Sequence, residues 1–177
     1  MDAVGVQFRR AGARDAPELV RLRHAMFRSM AATGSASRPN DVDDESWYPA
    51  AICAIRTQMQ RGTLAAFVVN DPAALRIHEQ AQNVTPLIAC AVAALVDHLP
   101  GPGLPRGLSG WISSVFVEVP HRGQGLARDL TMASLRWLED EGAEIVDLAA
   151  TPQAEGLYRS LGFTEPRSVP LRRVVHP

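Results

Sequence analysis

The apolar residues of the chain follow two different periods, which predicts a protein built from both helices and strands. Three long segments repeat apolar residues at helical spacing, and the other apolar segments are short, near-continuous runs bounded by Gly, Pro or Asn. Helical spacing gathers the apolar side chains on one face, whereas short bounded runs are typical of buried strands. The predicted strands are residues 4–10, 63–69, 87–96, 111–119, 145–149 and, more weakly patterned, 168–175. The predicted helices begin at Asp15, after the acidic stretch 41–45, at Asp71, at Gly125 and at Thr151.

The order of these elements defines the expected architecture. Asp15 with Glu18 three residues later forms a candidate capping box, and Pro152 after Thr151 suits the first turn of a helix. Residues 71–86 are too many for a hairpin, so we interpret them as a surface elaboration with a short helix. The element order predicts class α/β (α+β): one mixed, mostly antiparallel twisted sheet with helices on both faces. A chain of 177 residues fits a single domain over residues 1–177.

Composition and charge exclude several classes of function. The chain has 18 basic and 19 acidic side chains and a net charge of -1, so it lacks the positive field on which non-specific nucleic-acid binding depends. The longest apolar run, residues 87–96, is half of the roughly 20 residues that a spanning helix needs, and the N-terminus has no basic leader. We therefore expect no membrane or nucleic-acid partner and a cytoplasmic location. Cys53 and Cys90 each lie in an apolar stretch and are predicted to be buried thiols.

The absence of lysine narrows the chemistry further. All 18 basic residues are arginine, which excludes a Schiff-base lysine and the lysine of a GxxxxGK[ST] phosphate loop. The five histidines show no HxxxH or HExxH spacing, so no metal site is expected.

The most informative segment is VFVEVPHRGQGLAR at residues 115–128. Here a predicted strand ends, Gly123 and Gly125 follow closely, and a helix begins at once. The first amides of a helix lack intrahelical partners and the helix dipole is positive there, so such a junction favours anion binding, and Arg122 can add a charged contact. A dinucleotide fingerprint GxGxxG does not fit, because Arg128 stands where a third small residue is required. The pattern that fits is R-G-x-G-[LI]-[GA].

These residues resemble the GNAT N-acetyltransferases, which bind acyl-coenzyme A. The resemblance covers roughly residues 110–165 and includes VFV at 115–117, RGQGLA at 122–127, the amphipathic helix after it, and LYRSLGF at 157–163. It implies acetyl-CoA as cofactor and transfer of an acetyl group to a primary amine by direct attack in a ternary complex.

The resemblance also implies how the cofactor is held. In similar proteins the strand before the turn separates from its neighbour, so that its main chain bonds the pantetheine arm, and one amide faces the developing oxyanion. That role falls on Val115, Phe116 and Val117. The pyrophosphate is expected on the Arg122 side chain and on the turn, with Arg128 or Arg159 as candidates for the 3′-phosphate. The turn residues are Gly123, Gln124, Gly125, Leu126 and Ala127.

Candidate catalytic residues follow from the same resemblance. Tyr158 stands where the family often keeps a tyrosine near the coenzyme sulfur, and it is the candidate general acid for the thiolate leaving group. Glu118 is the first candidate base, with Asp97 and His98 behind it, while Ser113 and Ser114 can position a water. The family pattern has an asparagine near the start of the last helix. This chain has Pro152, Gln153 and Glu155 there instead, which puts that extra coenzyme contact in doubt.

The acceptor is the least determined part of the prediction. In similar folds the first two helices and their loop select the acceptor, and here they carry an acidic and aromatic set consistent with a cationic amine. A small-molecule amine is favoured over a protein, with a monomer or homodimer as the active form. A coenzyme A sensor without turnover, and a peptide N-acetylase, are the alternatives; acylation of charged tRNA is disfavoured by the net charge. The set is His24, Arg28, Asp43, Asp44, Glu45, Trp47 and Tyr48.

Overall fold

A computed structural model describes residues 8–34, 42–75, 85–168, 170–173 and 175, and its framework is one five-stranded sheet. The strands lie in chain order across the sheet, antiparallel except for the last pair, which is parallel. The predicted mixed, mostly antiparallel sheet is thereby confirmed. The strands are β1 Phe8–Arg10, β2 Leu64–Asn70, β3 Leu87–Asp97, β4 Leu108–Val117 and β5 Ile145–Leu148. The helices are α1 Ala16–Ala32, α2 Tyr48–Gln60, α3 Pro72–Leu75, α4 Leu126–Asp140 and α5 Glu155–Ser160.

Helices cover both faces of the sheet because β2 and β3 are apolar on both sides. Leu19 and Leu22 of α1 pack in one cluster with alternate residues of β2, and Ile55 and Met59 of α2 lie against it. On the other face, α4 buries Leu126, Leu130, Trp137 and Leu138 against the remaining residues of β2, β3 and β4. Burying a large apolar side chain stabilises the fold by about 1.5–3 kcal/mol, so these clusters hold a helical layer on each face of the sheet.

A bulge interrupts the pairing of β4 with β3. Cys90 is opposite Phe116 and Val92 is opposite Ser113, so a single β3 residue faces two residues of β4, Ser114 and Val115. Ser114 has φ of 52°, the left-handed region that non-glycine residues rarely adopt. Bulges of this kind redirect side chains and occur often beside active sites.

Several predicted ends of elements differ from the structure, and one predicted capping bond is absent. α1 begins directly after Asp15 as predicted, but the Asp15 side chain makes no capping hydrogen bond, because its carboxylate accepts two hydrogen bonds from Arg9 and one from the amide of Gly12. The last helix begins at Glu155, since the carbonyl of Thr151 closes a turn by accepting two following amides. β4 begins at 108 rather than 111, where the absence of a side chain at Gly110 lets Leu138 of α4 approach.

The remaining predictions concern the two cysteines, the last predicted strand, the first predicted strand and the segment 71–86. Cys53 is exposed, whereas Cys90 is buried as expected. Of residues 168–175, those that the structure describes form no strand, and Leu171 there is 92% exposed, so its weak alternation matches no buried face. The predicted strand at 4–10 is seen over Phe8–Arg10, and its first four residues lie outside the described ranges, as does most of 71–86.

Candidate active site

A cleft of about 670 Å³ opens between β4 and the end of β5. One wall is the α1 segment from Arg23 to Thr33, and the floor is β4 from Trp111 to Val117. The other wall is formed by the turn before α4, the start of α4 and Tyr158 of α5. The cleft therefore joins the strand, the glycine turn and the tyrosine that the sequence singled out separately.

The open edge of β4 results from where β5 stops. β5 pairs with β4 only over 109–112, opposite 145–148, and then turns away. Residues 113–117 of β4 have no strand neighbour on that side within the described sheet, and all five line the cleft. Backbone groups of a buried strand are normally paired, so this stretch can bond an extended ligand as an added strand would. Val115, Phe116 and Val117 all lie on it.

The turn before α4 presents a row of unpartnered amides. Within the described residues, no acceptor receives a hydrogen bond from the amides of 123–128; the first amide bonded into the helix is that of Asp129, to the carbonyl of Gly125. Gly123 and Gly125 have φ of 77° and 81°, and a Cβ on either would meet no atom within 4 Å. Glycine is needed there for the backbone angle and leaves the amides accessible to a ligand. Together with the helix dipole, the row forms an anion site.

Of the turn residues, Gly123, Gly125, Leu126 and Ala127 line the cleft, while Gln124 is exposed beside it. Arg122 also lines it, and its Nε donates to the carbonyl of Val117 at 3.0 Å. Its guanidinium lies 5.7 Å from the ring centre of Phe116. Arg122 is thus held where the turn meets the open edge of β4, within reach of both.

Tyr158 is the tyrosine of the cleft. It is 8% exposed, its ring meets Phe163 edge to face at 6.0 Å, and its hydroxyl has no hydrogen-bond partner among the described residues. Burial raises the pKa of Tyr158 above its ordinary value. The phenol therefore stays protonated at neutral pH and is available to a ligand as a donor.

The predicted base candidates do not lie in the cleft. The Glu118 carboxylate accepts from Arg21 of α1 at 2.8 Å, and Glu118 is not among the lining residues, although its neighbour Val117 is. Asp97 and His98 lie at the far end of β3, where His98 bonds the Ser109 hydroxyl at 2.8 Å. The role of Glu118 as a base stays a prediction, and the ion pair gives its carboxylate a structural role beside it.

The predicted acceptor set also has structural roles. The carbonyl of Val42 accepts from Nε2 of buried His24, whose Nδ1 lies 2.6 Å from the Tyr48 hydroxyl. Trp47 packs edge to face on that pair, and no member of the set lines the cleft. The acidic members cap a turn or pair with cations. These seven residues therefore give no structural support to a cationic amine acceptor, which stays a prediction.

The charge of the cleft is positive instead. Its lining contains no Asp or Glu among the described residues, and its basic side chains are Arg23, His121, Arg122, Arg128 and Arg172. Arg128 Nη1 donates to the Ser160 hydroxyl at 3.1 Å, whereas Arg159 is held outside the cleft by Glu155 and Glu165. Of the two candidates for the 3′-phosphate, only Arg128 is placed in the cleft.

Sequence reasoning missed Arg23. On α1 it is one of three arginines outside the apolar stripe, and nothing in its spacing separates it from Arg21 or Arg28. Only the tertiary fold places it against Ser114 of β4.

The chain was compared with protein families, curated proteins and solved structures. The model of the acetyltransferase (GNAT) family matches residues 37–163. No curated protein matches the chain in sequence. None of the described helices has both the length and the apolar character to span a bilayer.

Solved structures share the fold at low sequence identity. A GCN5-related N-acetyltransferase from Ralstonia eutropha has a TM-score of 0.73 at 17% identity, over 94% of this chain and 97% of that chain. A predicted acetyltransferase from Clostridium acetobutylicum, solved with acetyl-CoA, has a TM-score of 0.73 at 18% identity, over 94% and 95%. Glucosamine-6-phosphate N-acetyltransferase from Arabidopsis thaliana has a TM-score of 0.59 at 13% identity, over 96% and 99%.

Proposed function

This chain belongs to the acetyltransferase (GNAT) family, and on that premise we propose that it transfers an acetyl group from acetyl-CoA to the primary amine of a small molecule. The observation that carries the proposal is the single cleft that joins unpartnered amides at 123–128, an unpaired β4 edge and the Tyr158 hydroxyl. A diphosphate, an amide-containing arm and a thioester follow one another in acetyl-coenzyme A in the same order.

The turn and the strand edge bind the two ends of the cofactor in this proposal. The amides from Gly123 to Arg128 take the pyrophosphate, and the Arg122 guanidinium adds a charge-assisted contact as it leaves the Val117 carbonyl. The pantetheine arm then lies along 115–117 of β4, which directs the thioester toward the bulge at Ser114. Arg128 is the contact for the 3′-phosphate.

The chemical step needs an acid and an oxyanion donor. The amine nitrogen forms a bond to the thioester carbon, and the carbonyl oxygen takes up negative charge facing a β4 amide. The C–S bond then breaks, and the leaving thiolate receives the proton of Tyr158, which solvent later returns. Loss of a positioned acid typically costs about 10²–10⁴ in rate.

The amine nitrogen must also lose two protons: one before attack, because a free alkyl ammonium has a pKa of about 10, and one as the amide forms. Among the described residues no carboxylate lines the cleft, and His121 lies on the turn side where the phosphates are proposed. Both protons therefore leave through water in the cleft, which Ser113 and Ser114 also line.

Release of free coenzyme A from acetyl-CoA over a panel of small amines and peptides tests the proposal. Calorimetry of acetyl-CoA alone runs in parallel. We expect tight binding and turnover with at least one small amine. Binding without thiol release from any acceptor would replace the enzyme by a coenzyme sensor, and faster turnover with peptides would make it a peptide N-acetylase. The cytoplasmic location and the monomer or homodimer state stay predictions.

A further inference from the structure

The α1 wall of the cleft carries a cation that the cofactor does not account for. Arg23 Nη1 donates to the Ser114 hydroxyl at the β4 bulge, and its guanidinium lies 4.9 Å from the ring centre of Phe27. Along β4, Ser114 is three residues from Val117, where Arg122 is bonded, which is roughly 10 Å at 3.3 Å per residue. Arg23 therefore lies near the proposed thioester and away from the pyrophosphate turn.

Arg23 has no carboxylate partner in the described parts of the chain, unlike its neighbours on α1. Arg21 pairs with both Glu18 and Glu118, and Arg28 pairs with Asp43. Burial lowers the pKa of Arg23, although a guanidinium keeps its charge at any physiological pH. A half-buried cation with most of its five donors unused is costly unless a ligand supplies an anion.

The residues around Arg23 limit the class of ligand that can bind there. Phe27 lies against the Arg23 guanidinium, and Met26 of α1 and Trp111 of β4 are further apolar residues that line the cleft. Trp111 is 41% exposed, which leaves that end open to solvent and to an entering molecule. An apolar channel with one fixed cation favours a small molecule with a single anionic group.

We propose that the acceptor is a small primary amine that also carries a carboxylate or phosphate, and that Arg23 binds this anionic group and so directs the amine toward the thioester. This inference rests on the proposed acetyl transfer. Arg23 acts here as a specificity-determining residue that touches the acceptor, with Ser114 holding its guanidinium in place. Carboxylate and phosphate share the planar, bidentate contact that arginine makes well.

Matched pairs of acceptors test the inference. O-phosphoethanolamine is compared with ethanolamine, and β-alanine with propylamine, so that each pair differs in the anionic group. We expect kcat/KM to favour the anionic member by about 10- to 100-fold, as charge-assisted hydrogen bonds typically give. The pair with the larger ratio distinguishes phosphate from carboxylate.

Variants separate a specificity role from a structural one. Arg23→Met should reduce the ratio within each pair toward one, and Arg23→Lys should restore part of it, because a purely structural role would affect both members equally. Arg28→Met is the matched control on the same helix, outside the cleft, and should leave the ratio as in the wild type. Calorimetry should give an unaltered affinity of Arg23→Met for acetyl-CoA.

Two results overturn the inference while leaving acetyl transfer intact. One is turnover by the wild type with equal or better kcat/KM for the neutral members, and the other is an anionic preference that survives in Arg23→Met. Binding of acetyl-CoA without turnover of any amine would instead refute the proposed function, so the two failures are distinguishable.

Discussion

Tyr158→Phe is the substitution whose effect the structure defines most closely. The variant keeps the ring, its burial and its edge-to-face contact with Phe163, and removes only a hydroxyl that has no partner among the described residues. The free energy of unfolding should therefore change little, and the melting temperature should change by about 1 °C or less. If the hydroxyl protonates the leaving thiolate, kcat should fall by about 100-fold, which corresponds to about 2.7 kcal/mol of transition-state stabilisation.

The only other tyrosine supplies a matched control. The Tyr48 hydroxyl lies 2.6 Å from Nδ1 of buried His24, outside the cleft. Tyr48→Phe leaves that nitrogen unpaired, which typically costs about 1–3 kcal/mol and should lower the melting temperature by several degrees. Its kcat should remain that of the wild type. The two variants should therefore have opposite effects: Tyr158→Phe loses activity at constant stability, and Tyr48→Phe loses stability at constant activity.

The assay is coenzyme A release under single-turnover conditions, because product release can limit kcat and mask a change in the chemical step. Affinity for acetyl-CoA is measured by calorimetry and should agree with the wild type within about twofold. The dependence of the single-turnover rate on pH is a second criterion. Because burial raises the pKa of Tyr158, this acid stays protonated above the pH at which an ordinary tyrosine loses its proton. A wild-type single-turnover rate in Tyr158→Phe would remove this residue from the mechanism.

Four further substitutions, one of them a control, test the cofactor site and the fold. Gly125→Trp places a large side chain in open space beside the amides and should abolish acetyl-CoA binding while far-ultraviolet circular dichroism keeps the native spectrum; retained affinity would contradict the pyrophosphate assignment. Burial acts to raise the pKa of Asp15, but hydrogen bonds, chiefly from Arg9, outweigh burial, so the pKa is lowered overall. The ionised carboxylate therefore stabilises the fold above about pH 4, and this stabilisation is lost as the pH falls below that value. Asp15→Asn should therefore cost about 1–3 kcal/mol in urea unfolding at pH 7, and a gap that does not narrow in acid would refute the account. Gly110→Ala places a Cβ 2.6 Å from an α4 side chain and should lower the free energy of unfolding by about 1–3 kcal/mol. Gly156→Ala is the control, because the space around Gly156 is open, and it should be neutral or stabilising. Equal stabilities of the two variants would show that α4 is not packed as described.

The local parts of the site were predictable because their signals are local. Gly123 and Gly125 must both adopt positive φ, and the apolar helix that follows is readable from its period, so the anion turn could be inferred from six consecutive residues. The order of strands and helices along the chain followed from short apolar runs and the turn residues between them. Tyr158 was found through its neighbours Leu157 to Phe163, a motif of adjacent positions.

The long-range parts were not predictable. Asp15 and Glu118 have the sequence positions of a cap and a base, yet each is held by an arginine of a distant or different element, Arg9 and Arg21. Neither the point where β5 leaves β4 nor the bulge at Ser114 has a signature in the residues themselves. The same holds for Arg23, whose importance arises from what faces it across the cleft.

The amide NMR signals of the chain on titration with coenzyme A test the central claim most directly. The account predicts the largest shifts at the amides of 123–128, with smaller ones on β4 at 115–117, and slowed hydrogen exchange at the same positions as each gains an acceptor. Saturable binding whose shifts fall elsewhere, with these amides unmoved, would contradict it.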